Sequence, residues 1–211
     1  MGTWHSRRCL FAAAALVSFF SAACAAEYFV DSEAGADKNP GTAPDRPWQT
    51  LAAVQRHAFK PGDTLRFKCG GTWTGLLILK SSGAEGNPIT LTSYGAGAKP
   101  VLRNPPGAKP NWEKCVDVQG SWVVVDGLLL RDTYEFGVQI SKDAQHCVVR
   151  NCEITNVGIG IGVKGARNVV THNSIHDLVM VRNTKENPDD DYGAVAVGSS
   201  PRTTRSPSTG W

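Results

Sequence analysis

The 211-residue sequence predicts an all-β chain wound as a parallel β-helix, with three strands per coil and an amino-terminal cap helix. Three observations predict it. One pattern recurs as VVVDGLLLRD from Val123, VVRNCEITN from Val148 and VVTHNSIHD from Val169. Its aligned apolar positions, Leu130, Ile154 and Ile175, lie 24 and 21 residues apart, a period at which no unit buries its apolar face alone and neighbours must stack. From Thr64 onward, turn residues punctuate short β-rich runs with no long helical periodicity between them. The bends hold Asp126 and Gly127, then Asn151, then His172 and Asn173. These types tolerate a left-handed backbone, and stacked Asn amides hydrogen-bond from coil to coil. A sandwich also yields many short strands. The strict repeat after Val116 favours the solenoid.

In chain order, residues 1–25 have the layout of a secretory signal peptide. Arg7 and Arg8 give a positive start, an apolar run from Cys9 to Phe20 follows, and small residues from Ser21 to Ala26 allow cleavage after Ala25 or Ala26. The apolar run is too short to span a bilayer. Cys24 raises a lipoprotein, but Ser21 stands where a branched aliphatic residue is expected, so the reading is export to a secreted or periplasmic location. Residues 27–31 form a strand-like run before a Gly-, Asp- and Pro-rich loop. Residues 48–57 carry Trp48, Leu51, Ala52 and Val54 on one helical face and end before Pro61 and Gly62. A short helix here suits a cap over unpaired β edges. The domain expectation is a cap over 26–62, coils over 63–200, and an atypical tail over 201–211.

Short strands are expected at 64–67, 76–79, 89–92 and 100–102. A first strand set then recurs at 116–118, 138–140, 161–163 and 195–197, spaced by 22, 23 and 34 residues. A second set lies at 123–125, 148–149 and 169–170, and Leu130, Ile154 and Ile175 mark the third. Alternation places Val116, Val118, Val138, Ile140, Ile161, Val163, Val195 and Val197 inside. Asp117, Gln139, Gly162 and Ala196 then point outward.

The formal net charge of +3 falls to +1 without Arg7 and Arg8. It reaches −1 over residues 26–200, once Arg202 and Arg205 are also removed. This balance gives no nucleic-acid footprint and no polybasic membrane patch. Cys69, Cys115, Cys147 and Cys152 remain after cleavage; they are either disulfide partners or small buried residues of the stack. No CxxC pair exists to suggest zinc.

The amino-terminal YFVDSEAGADKNPGTAPDRPWQTLAAVQ, the following FKPGDTLRFKCGGTW and the coil repeats together resemble the secreted right-handed parallel β-helix proteins of the pectate-lyase-like superfamily. The likeness is greatest to its alginate and chondroitin lyase-like subgroup. The resemblance implies a right-handed helix of coils of about 22 residues, a monomer, a polysaccharide partner, and substrate lying along the first strand set. It implies a lyase acting on a uronate-containing polymer, with a non-catalytic carbohydrate-binding or envelope-structural protein and a glycoside hydrolase as alternatives. Lyases of that subgroup carry a Lys in a similar context to VKGARN, which gives Lys164 and Arg167 as catalytic candidates. Proton abstraction beside a uronate carboxylate needs a base, an acid and a neutralising cation. Those lyases place acidic calcium ligands upstream, where this chain has Val157, Gly158 and Ile159.

The 34-residue spacing leaves one coil oversized, with its surplus in LVMVRNTKENPDDDYG after Asp177. Solenoid insertions map to loops on one face, often the binding face. Asp189, Asp190 and Asp191 there are candidate oxygen ligands for Ca2+, and Asp191 is also a candidate catalytic carboxylate. No cofactor is otherwise expected. Arg182, Tyr192, Gln139, Tyr134 and Glu135 are substrate-binding candidates, the last two in a loop before Gly137. His172 and His176 are assigned to the corner away from the cleft. After Gly198 the β pattern stops. PRTTRSP can be encoded so that a frame two bases later resumes a coil-like string, so the expectation is a frameshift truncating the chain near Ser199 and leaving it inactive or poorly stable.

Overall fold

The computed structural model describes residues 25–105, 113–181 and 192–199. The signal-peptide and tail expectations fall outside those residues. Strands β1 (Glu27–Val30), β2 (Thr64–Lys68), β5 (Ile89–Tyr94), β8 (Val123–Asp126), β10 (Val148–Arg150) and β12 (Val169–Thr171) form a six-stranded sheet in that order. Every pairing in it is parallel. Leu65, Leu91, Val125 and Val149 are Cα partners down this sheet and fully buried.

An eight-stranded sheet collects β3 (Thr72–Thr74), β4 (Leu77–Leu79), β6 (Val101–Arg103), β7 (Lys114–Val118), β9 (Leu129–Ile140), β11 (Glu153–Val163), β13 (Ser174–His176) and β16 (Val195–Ser199). The expected third and first strand sets are continuous in β9 and β11, each of which runs through a bend. Leu129–Arg131 pairs with β6, and the stretch from Phe136 to Ile140 pairs with β7. Leu130, Ile154 and Ile175 are register partners, as the repeat predicts. Burying such columns at roughly 1.5–3 kcal/mol per large aliphatic side chain is what favours stacking over separate coils.

Each corner carries a column of left-handed residues. Trp122, His146 and Arg167 hold φ of 56°, 57° and 59°. Gly127, Asn151 and His172 hold 74°, 54° and 53°, and Asp132, Asn156 and Asp177 hold 59°, 52° and 51°. Side-chain amides support these bends. Asn151 Nδ2 donates to Asp126 Oδ1 and Asn156 Nδ2 to Asp132 Oδ1, both at 2.8 Å. Asn168 and Asn173 accept the amides of Cys147 and Cys152 from the preceding coil.

Helix α1 (Leu51–Arg56) is shorter than the expected 48–57. Thr50 caps it, accepting the Ala53 amide, while Trp48 stays extended and bridges to Val30. Gln55 Oε1 accepts the Ile78 amide from β4, satisfying a strand-edge donor. No described helix is long and apolar enough to cross a membrane.

The last first-set strand corrects the sequence alignment. Ile161 pairs with Val197 and Ile159 with Val195, so Gly198, not Ala196, partners Gly162. Val195 and Val197, expected inside, are 40% and 47% exposed, because no described strand pairs with β16 on the side away from β11. The four described cysteines are free thiols, three of them buried. Cys115, Cys147 and Cys152 donate to the carbonyls of Arg131, Gly120 and Arg150. Burial pushes the Cys115 and Cys152 thiols up to about 12 and about 11.

Candidate functional site

The outward column of the first strand set is Asp117, Gln139, Gly162 and Gly198. It is not the open surface that alternation predicts: Asp117 and Gln139 are 7% and 3% exposed. Two features lie over the column at Gly162. Gly162 lacks a Cβ that would fall 2.4 Å from Phe136 Cε1, so the Phe136 ring lies against the strand there. Lys164, just past β11, then holds its ammonium 5.8 Å from the Phe136 ring centroid, within cation–π reach.

Below this layer sits a charged group. Lys114 Nζ is 3.8 Å from Asp117 Oδ2 and 4.0 Å from Glu135 Oε2. Asp117 also accepts from Gln119 Nε2 at 3.1 Å and from Ser141 Oγ at 3.2 Å. Glu135 Oε2 is buried and accepts no hydrogen bond. Burial pushes the Glu135 carboxyl up, Lys114 and Lys164 pull it down, Asp117 and Glu113 push it up, and the net result is a raised value. Two neighbouring carboxyl groups thus have different environments, one rich in donors and one poor.

Beside the group lies an open groove of about 370 Å³ lined by Gln119, Gln139, Ser141, Lys142, Asp143 and Lys164. The Gln139 Nε2 is buried there without an acceptor. Chemically, this face offers a donor-poor carboxyl, a hydrogen-bonded carboxyl and an unused amide donor along one side of the coil stack.

Gln139, Glu135 and Lys164 are therefore brought to one face, as the sequence suggests. Tyr134 and Glu135 lie within β9, not in a loop. Tyr134 is half-buried, and its carbonyl packs where a Cβ on Gly158 would be. Arg167 stands apart at a corner, where Nη1 donates to Gln145 Oε1 at 3.1 Å. Arg182, Asp189, Asp190 and Asp191 lie outside the described residues, and the Ca2+ and Asp191 expectations with them. Tyr192 is described in its backbone alone, pairing with Val181 where β15 (Tyr192–Gly193) meets β14 (Met180–Val181) in an antiparallel ribbon. That ribbon roots the oversized loop beside Gly158, since a Cβ on Gly193 would lie 3.4 Å from the Gly158 backbone. Lys114 and Asp117 are the residues that sequence reasoning did not select. The signal was present: Asp117 is the one charged outward position in its column, with a lysine three residues before it on the same strand.

No family model matches the chain. It is 30% identical over 140 residues to the lacto-N-biosidase of Bifidobacterium longum subsp. longum, a match covering 61% of this chain and 8% of that protein. The crystal structure of the GH136 lacto-N-biosidase from Eubacterium ramulus is similar with a TM-score of 0.63 at 22% identity, over 72% of this chain and 34% of that one. A rhamnogalacturonan lyase matches with a TM-score of 0.57 at 22% identity, over 68% and 39% of the two chains. Pectate lyase Pel9A matches with a TM-score of 0.57 at 20% identity, over 72% and 40%. The chain thus has the right-handed β-helix fold shared by these carbohydrate-active proteins, and it spans well under half the length of each.

Proposed function

We propose that this chain acts on carbohydrate outside the cytoplasm and that its chemistry is hydrolysis of a glycosidic bond at the first-strand face. The reading takes the coils as three-stranded turns of about 22 residues under a cap formed by α1. One observation carries it: Glu135, poor in donors and raised, lies beside Asp117, rich in donors, with one ammonium within 4.0 Å of both. In this reaction Glu135 gives its proton to the leaving glycosidic oxygen. Asp117 accepts a proton from the water whose oxygen joins the anomeric carbon. The names of the two lacto-N-biosidase matches, which denote glycosidases, support hydrolysis over elimination. Elimination is the second reading, favoured by Lys142 and Lys164 along the groove, where ammonium groups suit a uronate carboxylate.

The test incubates the purified chain with a panel of neutral and uronate-containing glycans, reading reducing ends and the ultraviolet absorbance of unsaturated uronates. Hydrolysis releases reducing ends with no absorbance, and E135Q and D117N each lower the rate by about 10²–10⁴-fold. An absorbing product moves the assignment to elimination. Binding with no cleavage of any glycan overturns both and leaves a binding module.

A further inference from the structure

We propose that Lys114 is the positioning residue of the carboxyl pair, its single ammonium held between the two groups so that it offsets the lack of donors at Glu135 and sets how firmly that carboxyl holds its proton. The proposal rests on the hydrolytic reading for its role, and on geometry alone for its mechanism. Asp117 has three favourable partners: Gln119 Nε2 at 3.1 Å, Ser141 Oγ at 3.2 Å and Lys114 Nζ at 3.8 Å. Glu135 Oε2 has one, Lys114 at 4.0 Å, and no hydrogen bond. The side chains of Lys114, Asp117 and Glu135 are 21%, 10% and 14% exposed, so water does little to even out the imbalance. With little water and no donor at that oxygen, the charged form of Glu135 leans on this one ammonium, which it shares with the Asp117 carboxyl. The other charged groups acting on Glu135 are Lys164, from the end of β11, and Glu113, which precedes Lys114. Asn104 Nδ2 donates to Glu113 Oε2 at 2.6 Å, which keeps that carboxylate engaged on its own side.

The strand explains how one lysine reaches both groups. Lys114 pairs with Phe136 and Asp117 with Gln139 across β7 and β9. Glu135 precedes Phe136, and its amide donates to the Glu113 carbonyl at 3.2 Å. Lys114 is therefore held between its own strand and the next coil, not at a mobile loop tip.

The experiment follows the side-chain carboxyl carbons of the full chain, labelled with carbon-13, by NMR across pH, with E135Q and D117N identifying the two signals. It needs no substrate, so loss of the hydrolytic reading and loss of this one are read separately. In K114M the Glu135 midpoint moves up by about one pH unit or more, while K114R leaves it close to wild type. A purely structural lysine would change unfolding without moving that midpoint. The proposal is overturned if folded K114M leaves Glu135 where it was. Should K114M fail to fold, K114Q is read in its place, and a Glu135 midpoint that stays at the wild-type position overturns the proposal.

Discussion

Trp122 and His146 stack face to face across successive coils, their ring centroids 4.0 Å apart and their planes 4° from parallel. Both residues hold a positive φ at the same corner. For side chains other than Gly or Asn this backbone is unfavourable by roughly 1–2 kcal/mol, so the stack offsets a local cost that each coil repeats. Replacing either ring by Ala removes the contact, and replacing both removes it once. The coupling energy from a double-mutant cycle of Trp122→Ala and His146→Ala in denaturant unfolding is expected at about 0.5–1.5 kcal/mol. Strict additivity would show that the rings are neighbours without being partners.

The same column shows what a sequence does and does not reveal. The repeat was legible because identical corners demand residues of the same class and identical columns demand apolar ones; Leu130, Ile154 and Ile175 pair as expected. The alignment of Val195 failed for a physical reason. Side chains in a strand alternate with a period of two, so a slip of two residues preserves which side chains face inward. The pattern cannot distinguish Val195 opposite Ile161 from Val195 opposite Ile159. Within the site, Glu135, Gln139 and Lys164 were legible from their place beside the first strands. Lys114 and Asp117 carried a signal that alternation masks, because it marks an outward residue as solvated and carries no information that Lys114, Gln119 and Ser141 close around Asp117 or that Phe136 covers Gly162.

Gly162 is a test of that covering. The Phe136 ring occupies the space of a side chain at this position, with Cε1 and Cδ1 2.4 and 2.6 Å from where a Cβ would stand. Gly162→Ala is expected to destabilise the chain by about 1–3 kcal/mol by forcing the ring away. In a Phe136→Ala background the same substitution should cost much less, because the obstructing ring is gone. Equal costs in both backgrounds, measured by denaturant unfolding, would show that the ring is not what Gly162 accommodates.

The amino-terminal aromatic cluster gives the chain an acid-sensitive point far from the carboxyl pair. His57 lies 4.3 Å from the Tyr28 ring, 4.8 Å from Phe59 and 5.3 Å from Trp48, centroid to centroid. Its Nε2 is buried without a hydrogen bond. Burial lowers its pKa from the ordinary 6.5, Asp63 opposes and Lys60 adds to the lowering. The sign follows from which state binds the proton first. Below its ordinary value the unfolded chain protonates His57 while the folded chain resists, so the neutral imidazole contributes its full stability above that value and loses it as pH falls toward the lowered one. His57→Phe removes the titrating group and retains an aromatic ring. Thermal midpoints from about pH 8 to about pH 5 should therefore fall less steeply in the variant than in the wild type. An unchanged slope would place the acid sensitivity elsewhere and make His57 a packing residue whose protonation the folded chain tolerates.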